Sequence, residues 1–315
     1  MMVETVQRNL HLNAQRIMRM HEQMSSGRKV SRPSDDAVAV ARSMALTSAL
    51  SRNEQFVRNI DDTLSWVSAT ETTLGSVADL LQRVREQMIN GASNVRSLTE
   101  REAIASEIDQ LVNHLVELGN MDHNGRHLLS GFVTTAPPYA RTGDTFAYQG
   151  DNGIMLHEVS AFATVEANVH GISLFGNIHE DPVTLIRKLR FDSTGLEPDV
   201  VGRGTGVFDK LLEIREAVRS GDVDQLSGTL LSEMDAILSN VVSQRSMLGA
   251  RANRLEAGRQ RFGMEELNIR ELRSGIEDID FARQMTEFKM QESIYQASLA
   301  TAARVITPTL LHFLS

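Results

Sequence analysis

Three groups of residues in this 315-residue chain have types and spacings that invite chemistry. His123 and His127 stand four apart, a spacing that on a helix puts two imidazoles on one face for a zinc ion. Asn124 stands where a His-Glu-x-x-His protease carries its general base, Gly125 loosens the turn, and no third ligand is evident. They read as packing or surface histidines. Glu277, Asp278 and Asp280 offer oxygen ligands for a cation, but alternating with Ile276 and Ile279 they read as the wet face of a helix. Gly202, Gly204 and Gly206 imitate a nucleotide loop without the strand, turn and later acid that frame one, so they read as a hinge. The chain has no cysteine, which excludes disulfides and thiolate ligands or nucleophiles. No acid–base pair, nucleophile or metal set converges, so the reading is of a protein without catalytic residues, cofactor or metal. A hydrolase within residues 132–206 is the remaining catalytic alternative.

The elements that carry these residues are helical. Hydrophobic residues make up 41% of the chain and aromatics 5%, with one Trp and three Tyr, a balance that favours long helices over sheets. The formal net charge of -9, with acids and bases mixed, offers no basic patch for nucleic acid. No apolar run approaches the ~18 residues that cross a bilayer. The start, Met1 to Met24, mixes Arg, His and Asn with its apolar residues, unlike a cleavable signal peptide.

Val3, Val6, Leu10, Asn13, Ile17, Met20 and Met24 form one stripe on a first terminal helix ending near Ser25-Ser26-Gly27. Ser34 is the expected N-cap of the next helix, with Asp35 and Asp36 in its first turn. Val57, Ile60, Leu64, Val67, Leu74, Leu81, Val84 and Met88 then keep much of that spacing up to Gly91. Thr99 and Glu102 form the expected capping box of a helix carrying Ile104, Ile108, Leu111, Leu115 and Leu118. From Phe132 to about Gly206 the texture turns to Pro, Gly and Tyr, with Val165, Ala167 and Val169 alternating as in short strands. Asp181-Pro182 opens one short helix there.

Helix returns at Val207-Phe208. From Leu230 through Met234, Ile237, Val241, Gln244, Leu248, Arg251, Leu255, Gly258, Phe262, Glu265, Ile269, Leu272 and Ile276 to Ile279 a 4,3 rhythm is unbroken. At ~1.5 Å per residue it spans about 75 Å and must lie on other helices, as in a coiled coil or bundle. The seam then slips to Phe281, Met285, Phe288, Tyr295, Leu299, Ala302 and Ile306, the second terminal helix. The two terminal stripes exceed what a two-helix pair can cover, so other subunits are expected to cover the rest. Among the fourteen Met, Met18, Met20 and Met24 are candidates for facing unlike neighbours.

These ends resemble the flagellins and their relatives. The likeness rests on Ser26-Gly27-Arg28-Lys29-Val30 with Pro33-Ser34-Asp35-Asp36, Asn59-Ile60 and Thr70-Glu71 with Leu74. At the other end it rests on Leu248-Gly249-Ala250-Arg251, Leu255, Ser274, Ile276 to Ala282 and Tyr295-Gln296-Ala297-Ser298-Leu299. Asn120 with Gly125-Arg126, Ser130-Gly131, Tyr148-Gln149-Gly150-Asp151 and Val207-Phe208 look like features of a hook–filament junction subunit. His127 and Leu128 depart from the aromatic pair expected there, Gly275 sits inside helix, and Pro308 interrupts the path to Leu310, Leu311, Phe313 and Leu314.

The expected fold is mainly α, a long helical coiled-coil or bundle rod built from both chain ends with a small inserted α+β domain. Residues 1–30 with 274–315 form the terminal assembly domain, 31–131 with 207–273 a helical rod domain, and 132–206 the strand-rich insert. The resemblance implies a structural subunit joining hook and hook-associated proteins to the flagellin filament. Its partners would be copies of itself in a ring or helical layer, other hook-associated proteins, flagellin, and an export chaperone with the type III export apparatus; no nucleic acid or membrane insertion is expected. It implies a cytoplasmic chain exported without a cleaved leader to the extracellular flagellum. The assembly residues are then Val3, Val6, Leu10, Ile17, Met20, Met24, Phe281, Met285, Phe288, Tyr295, Leu299, Ala302 and Ile306. The alternatives are a filament flagellin and, in another class, a cytoplasmic coiled-coil signalling module.

Overall fold

The computed structural model describes residues 2–30, 32–93, 96–176 and 206–306. Helix dominates: α1 (Met2–Ser26), α2 (Ala37–Gly91), α3 (Leu98–Gly119), α4 (Gly171–Phe175), α5 (Gly206–Ser220), α6 (Val223–Ser227), α7 (Thr229–Glu277) and α8 (Phe281–Ile306). Between α3 and α4 lie three two-stranded antiparallel hairpins: β1 (Asp122–His123) with β2 (Arg126–His127), β3 (Tyr139–Thr142) with β4 (Thr145–Tyr148), and β5 (Leu156–Ser160) with β6 (Ala163–Glu166). The protein is thus mainly α, with long helices from both ends and a small strand-bearing insert. The expected short helix at Asp181-Pro182, Gly202, Gly204 and the segment around Pro308 lie outside the described residues.

Two compact units emerge: Met1–Gln55 with Phe262–Ser315, and Phe56–Arg261. In the second unit α2 and α7 run antiparallel, registered by Arg85–Asp235 (2.7 Å), Arg245–Glu71 (2.8 Å) and Arg259–Asp61 (2.9 Å). Such exposed pairs add about 0–1 kcal/mol each, so register rather than stability is their contribution. The stability comes from the stripes: Val67, Leu74, Leu81 and Val84 of α2 and Leu230, Met234, Ile237, Val241, Leu248 and Leu255 of α7 are buried. Beside them α3 packs on α5 through Ile108, Val112 and Leu115 and through Val207, Phe208, Leu211 and Val218. Truncating one such side chain to Ala costs about 2–5 kcal/mol.

Polar residues on the seam also find a use. Arg251 donates to Glu166 Oε2 (2.5 Å) and to the Asn168 carbonyl, tying the last hairpin to α7. The insert packs on α5 through an aromatic cluster: Tyr139, Tyr148, Phe146 and Phe175 of the insert and Phe208 of α5 meet with centroids 4.8–5.4 Å apart. Asn120 seats it, its amide pairing both ways with the Tyr139 backbone at 2.8 Å. Gly131 has φ +73°, and any Cβ there would strike Asp151, whose carboxylate accepts from Phe132 N and Gly153 N. Val165, Ala167 and Val169 are all buried, but strand ends at Glu166.

Both expected N-caps sit two residues away. α3 begins at Leu98, with Ser97 Oγ accepting from Glu100 N and the Glu100 carboxylate accepting from Ser97 N (2.8 Å). α2 is capped by Asp36, whose Oδ1 accepts from Val38 N and Ala39 N at 3.0 Å, while Arg32 to Asp35 form a separate turn. The acids Glu277, Asp278 and Asp280 are not the wet face of a continuous helix. They end α7, bridge to α8 and cap it, Asp280 Oδ1 accepting from Arg283 N (3.1 Å). Gly275 accordingly lies near the end of α7, with open space where a Cβ would stand.

Candidate assembly interface

The first unit is built on the antiparallel pair of α1 and α8. Along α1, Val6, Leu10, Asn13, Ile17, Met20 and Met24 are half-buried, following the helical period. On α8 the residues turned in are Gln284, Phe288, Gln291, Tyr295 and Ser298, with Ala302 buried at 4% exposure. Two polar layers set the register. Gln291 donates to Asn13 Oδ1 (3.3 Å), and Gln284 donates to Gln23 Oε1 (3.0 Å). Half-buried amides paired in this way favour one alignment at some cost in stability.

The stripe read on α8 therefore divides. Phe288, Tyr295 and Ala302 pack toward α1, whereas Phe281 (55%), Met285 (40%) and Leu299 (44%) are exposed. Met290 (61%) and Ile294 (44%), unmarked by the 4,3 seam, are exposed beside them, as are Leu12 (45%) and Met18 (61%) on α1. The side chains of Val3 and Ile306 lie outside the described residues. Between the helices runs a groove of about 380 Å³ lined by Val6, Leu10, Ile294, Ala297 and Thr301. Large apolar side chains left in water on both helices each gain about 1 kcal/mol or more when a neighbour covers them.

The helix ends are joined where they change direction. Gly27, at φ +70°, ends α1 in the left-handed conformation that glycine tolerates. The following residues pair with the α7–α8 connection: Lys29 N donates to the Glu277 carbonyl (2.5 Å), Ile279 N donates to the Gly27 carbonyl (3.1 Å), and Arg28 bridges Asp278. The Glu277 carboxylate accepts from the Ser43 hydroxyl and faces Arg28 (3.8 Å) and Arg273 (4.0 Å). The acidic cluster thus works as a clasp between the two connections, which local patterning did not reveal.

The two histidines sit on a hairpin, not on a helix face. Asn124 (φ 53°) and Gly125 (φ 76°) form the tight turn between β1 and β2, the Asn-Gly pair being a hairpin signal that the helix-based reading passed over. His123 reaches Ser65 (3.0 Å), and His127 reaches the Asn120 carbonyl (2.6 Å). Among the described residues no group of three His, Cys, Asp or Glu side chains is arranged to hold a metal. No described helix is long and apolar enough to cross a membrane.

The bacterial flagellin N-terminal helical region matches residues 1–134 and the bacterial flagellin C-terminal helical region matches residues 231–314, together more than two thirds of the chain. Over 291 residues the chain is 25% identical to flagellar hook-associated protein 3 of Escherichia coli (strain K12), covering 89% of this chain and 87% of that one. It is 26% identical over 302 residues to the flagellar filament 30.7 kDa core protein of Treponema maltophilum, covering 95% and 92%. Its fold is similar to the crystal structure of the flagellar junction protein FlgL from Legionella pneumophila, with a TM-score of 0.58 at 17% identity over 76% of this chain and all of that one.

Proposed function

Because the chain belongs to the flagellin family, we propose that it is the subunit joining hook-side proteins to the flagellin filament, acting by helix packing and not by catalysis. The observation that carries this reading is the α1/α8 pair, which holds its register through polar layers and yet leaves large apolar side chains exposed on both helices. A pair built to stand alone would cover them. Neighbouring copies in a ring or helical layer, hook-associated proteins on one side and flagellin on the other would each cover part of that surface. Phe281, Met285 and Leu299 contribute to it directly, while Val6, Leu10, Ile17, Met20, Met24, Phe288, Tyr295 and Ala302 shape the pair that presents it. Residues 1–30 with 274–315 are its assembly region. Export as an unfolded chain through the type III apparatus, escorted by a chaperone, accounts for its delivery to the extracellular flagellum.

A strain lacking this protein is expected to carry hooks and shed flagellin into the medium, and the wild-type chain restores filaments. The variant Met290→Asp, at an exposed position that does not line the groove between α1 and α8, is expected to be exported yet leave flagellin unattached. Normal filaments on that variant would count against the reading. The second reading, a filament flagellin, has in its favour the similarity to the Treponema maltophilum core protein over most of the chain. A deletion strain with little flagellin in the medium would favour it.

A further inference from the structure

Trp66, the one tryptophan of the chain, is 7% exposed on α2, and its indole N–H has no acceptor among the described residues. Trp66 lines a cleft of about 240 Å³ in the second unit, together with His123, Arg126 and His157. The Arg126 guanidinium lies 5.2 Å from the indole centroid, and His123 meets the same ring edge-on at 6.3 Å. Arg126 has only weak or neutral acceptors: the Thr134 hydroxyl at 3.3 Å and the Met155 sulfur at 3.6 Å. No carboxylate pairs with it among the described residues. Both imidazoles are anchored to α2 hydroxyls, His123 Nε2 at Ser65 (3.0 Å) and His157 Nδ1 at Thr63 (2.8 Å). Because the Thr63 hydroxyl donates to the Asn59 carbonyl (2.6 Å), His157 Nδ1 donates to it and its Nε2 is left as an acceptor, while His123 Nδ1 has no hydrogen bond among the described residues.

We propose that this cleft binds one carboxylate group, held by the Arg126 fork, with the His123 imidazole as a further donor: His123 Nε2 accepts from the Asn124 amide (3.2 Å), which leaves its proton on Nδ1. A planar carboxylate matches a guanidinium fork bidentately. Asp62 also lines the cleft and opposes two charges carried on one group, as on a phosphate dianion, more than the single charge of one carboxylate, so phosphate fits worse. The carboxylate comes either from a small free acid or from an Asp or Glu side chain of another copy; each copy carries 41 acidic residues. Ligation by another copy would add a contact to the assembly proposed above and rests on that reading, whereas binding of a free acid does not.

With a single indole in the chain, Trp66 emission reports on this cleft alone. Titrating the monomer with sodium glutarate at constant ionic strength is expected to change that emission saturably, with sodium chloride giving no such change and phosphate a weaker one. Arg126→Gln is expected to weaken the glutarate response by roughly tenfold or more, and Arg126→Lys, which keeps the charge without the fork, to fall between. Circular dichroism checks the fold of both variants; should Arg126→Gln lose its helical signal, Arg126→Lys carries the comparison. If the carboxylate belongs to another copy, the emission change appears on polymerisation without added acid and is lost in polymers of the variant. The proposal is overturned by a linear response to glutarate, equal in wild type and variant, together with unchanged emission on polymerisation.

Discussion

Asp109 on α3 is the acid at which three elements meet. It takes Arg141 of β3 at 2.6 Å and Arg215 of α5 at 2.8 Å, while Arg215 also holds Asp144 at 2.7 Å. Burial opposes ionisation of Asp109, but hydrogen bonds from the two guanidiniums outweigh it and hold its carboxyl below the ordinary value; Arg215 does the same for Asp144. A carboxyl lowered in the folded state stabilises above its unfolded value, about 3.9, and that contribution is lost as pH falls through the folded value. Asp109→Asn is therefore expected to cost about 1–2 kcal/mol at pH 7, and its urea midpoint should fall less steeply than wild type between pH 6 and 3. Parallel slopes in the two proteins would remove Asp109 from the acid response. None of this hub was legible in the sequence, because the partners come from positions 109, 141, 144 and 215. The Asn124-Gly125 turn was legible, and the His123–His127 spacing drew attention to helix geometry instead.

Among the elements, the long seam was the most readable feature. Burial at Leu230, Met234, Ile237, Val241, Leu248, Leu255, Phe262 and Ile269 follows the 4,3 rhythm, since a helix on one neighbour buries one stripe. Glu265 and Leu272 are exposed, so the rhythm outlasts the burial that gives it meaning. The break at Glu277 to Asp280 was not readable, because acids alternating with isoleucines look alike on a helix face and in a connection held by Gly27, Arg28 and Lys29, some 250 residues away. The α3 cap shows another ambiguity: Ser97 and Thr99 both precede a glutamate by three. Starting at Leu98 lets Glu100 accept from the Ser97 N–H and pair with Arg96 (3.3 Å), which the Thr99 alternative forgoes. Ser97→Ala is expected to cost about 1 kcal/mol in urea unfolding, and Thr99→Ala a few tenths at most. A larger loss at Thr99 would mean that the helix starts two residues later.

For the molecule as a whole, the chain's two ends form one unit whose surface carries apolar side chains without cover, and two stretches of the flagellin resemblance, Ser26 to Val30 and Ile276 to Ala282, lie where its helices turn. Ser26 to Val30 and Ile276 to Ala282 are matched to each other across the clasp, which explains why such motifs stand at opposite ends of one chain. The terminal stripes alone did not say which of their residues would face the partner helix and which the surroundings; Met290 and Ile294 became visible only once α8 was set against α1. The central claim is that these exposed faces are covered on assembly. A chain with no cysteine allows a direct measurement, the maleimide reactivity of Met290→Cys in purified monomer and in isolated flagella, with Phe162→Cys, at the fully exposed tip of the β5–β6 hairpin, as the reference. Met290→Cys is expected to react readily in the monomer and to be protected roughly tenfold or more in flagella, while Phe162→Cys stays reactive in both. Equal reactivity of Met290→Cys in monomer and flagella would contradict the claim.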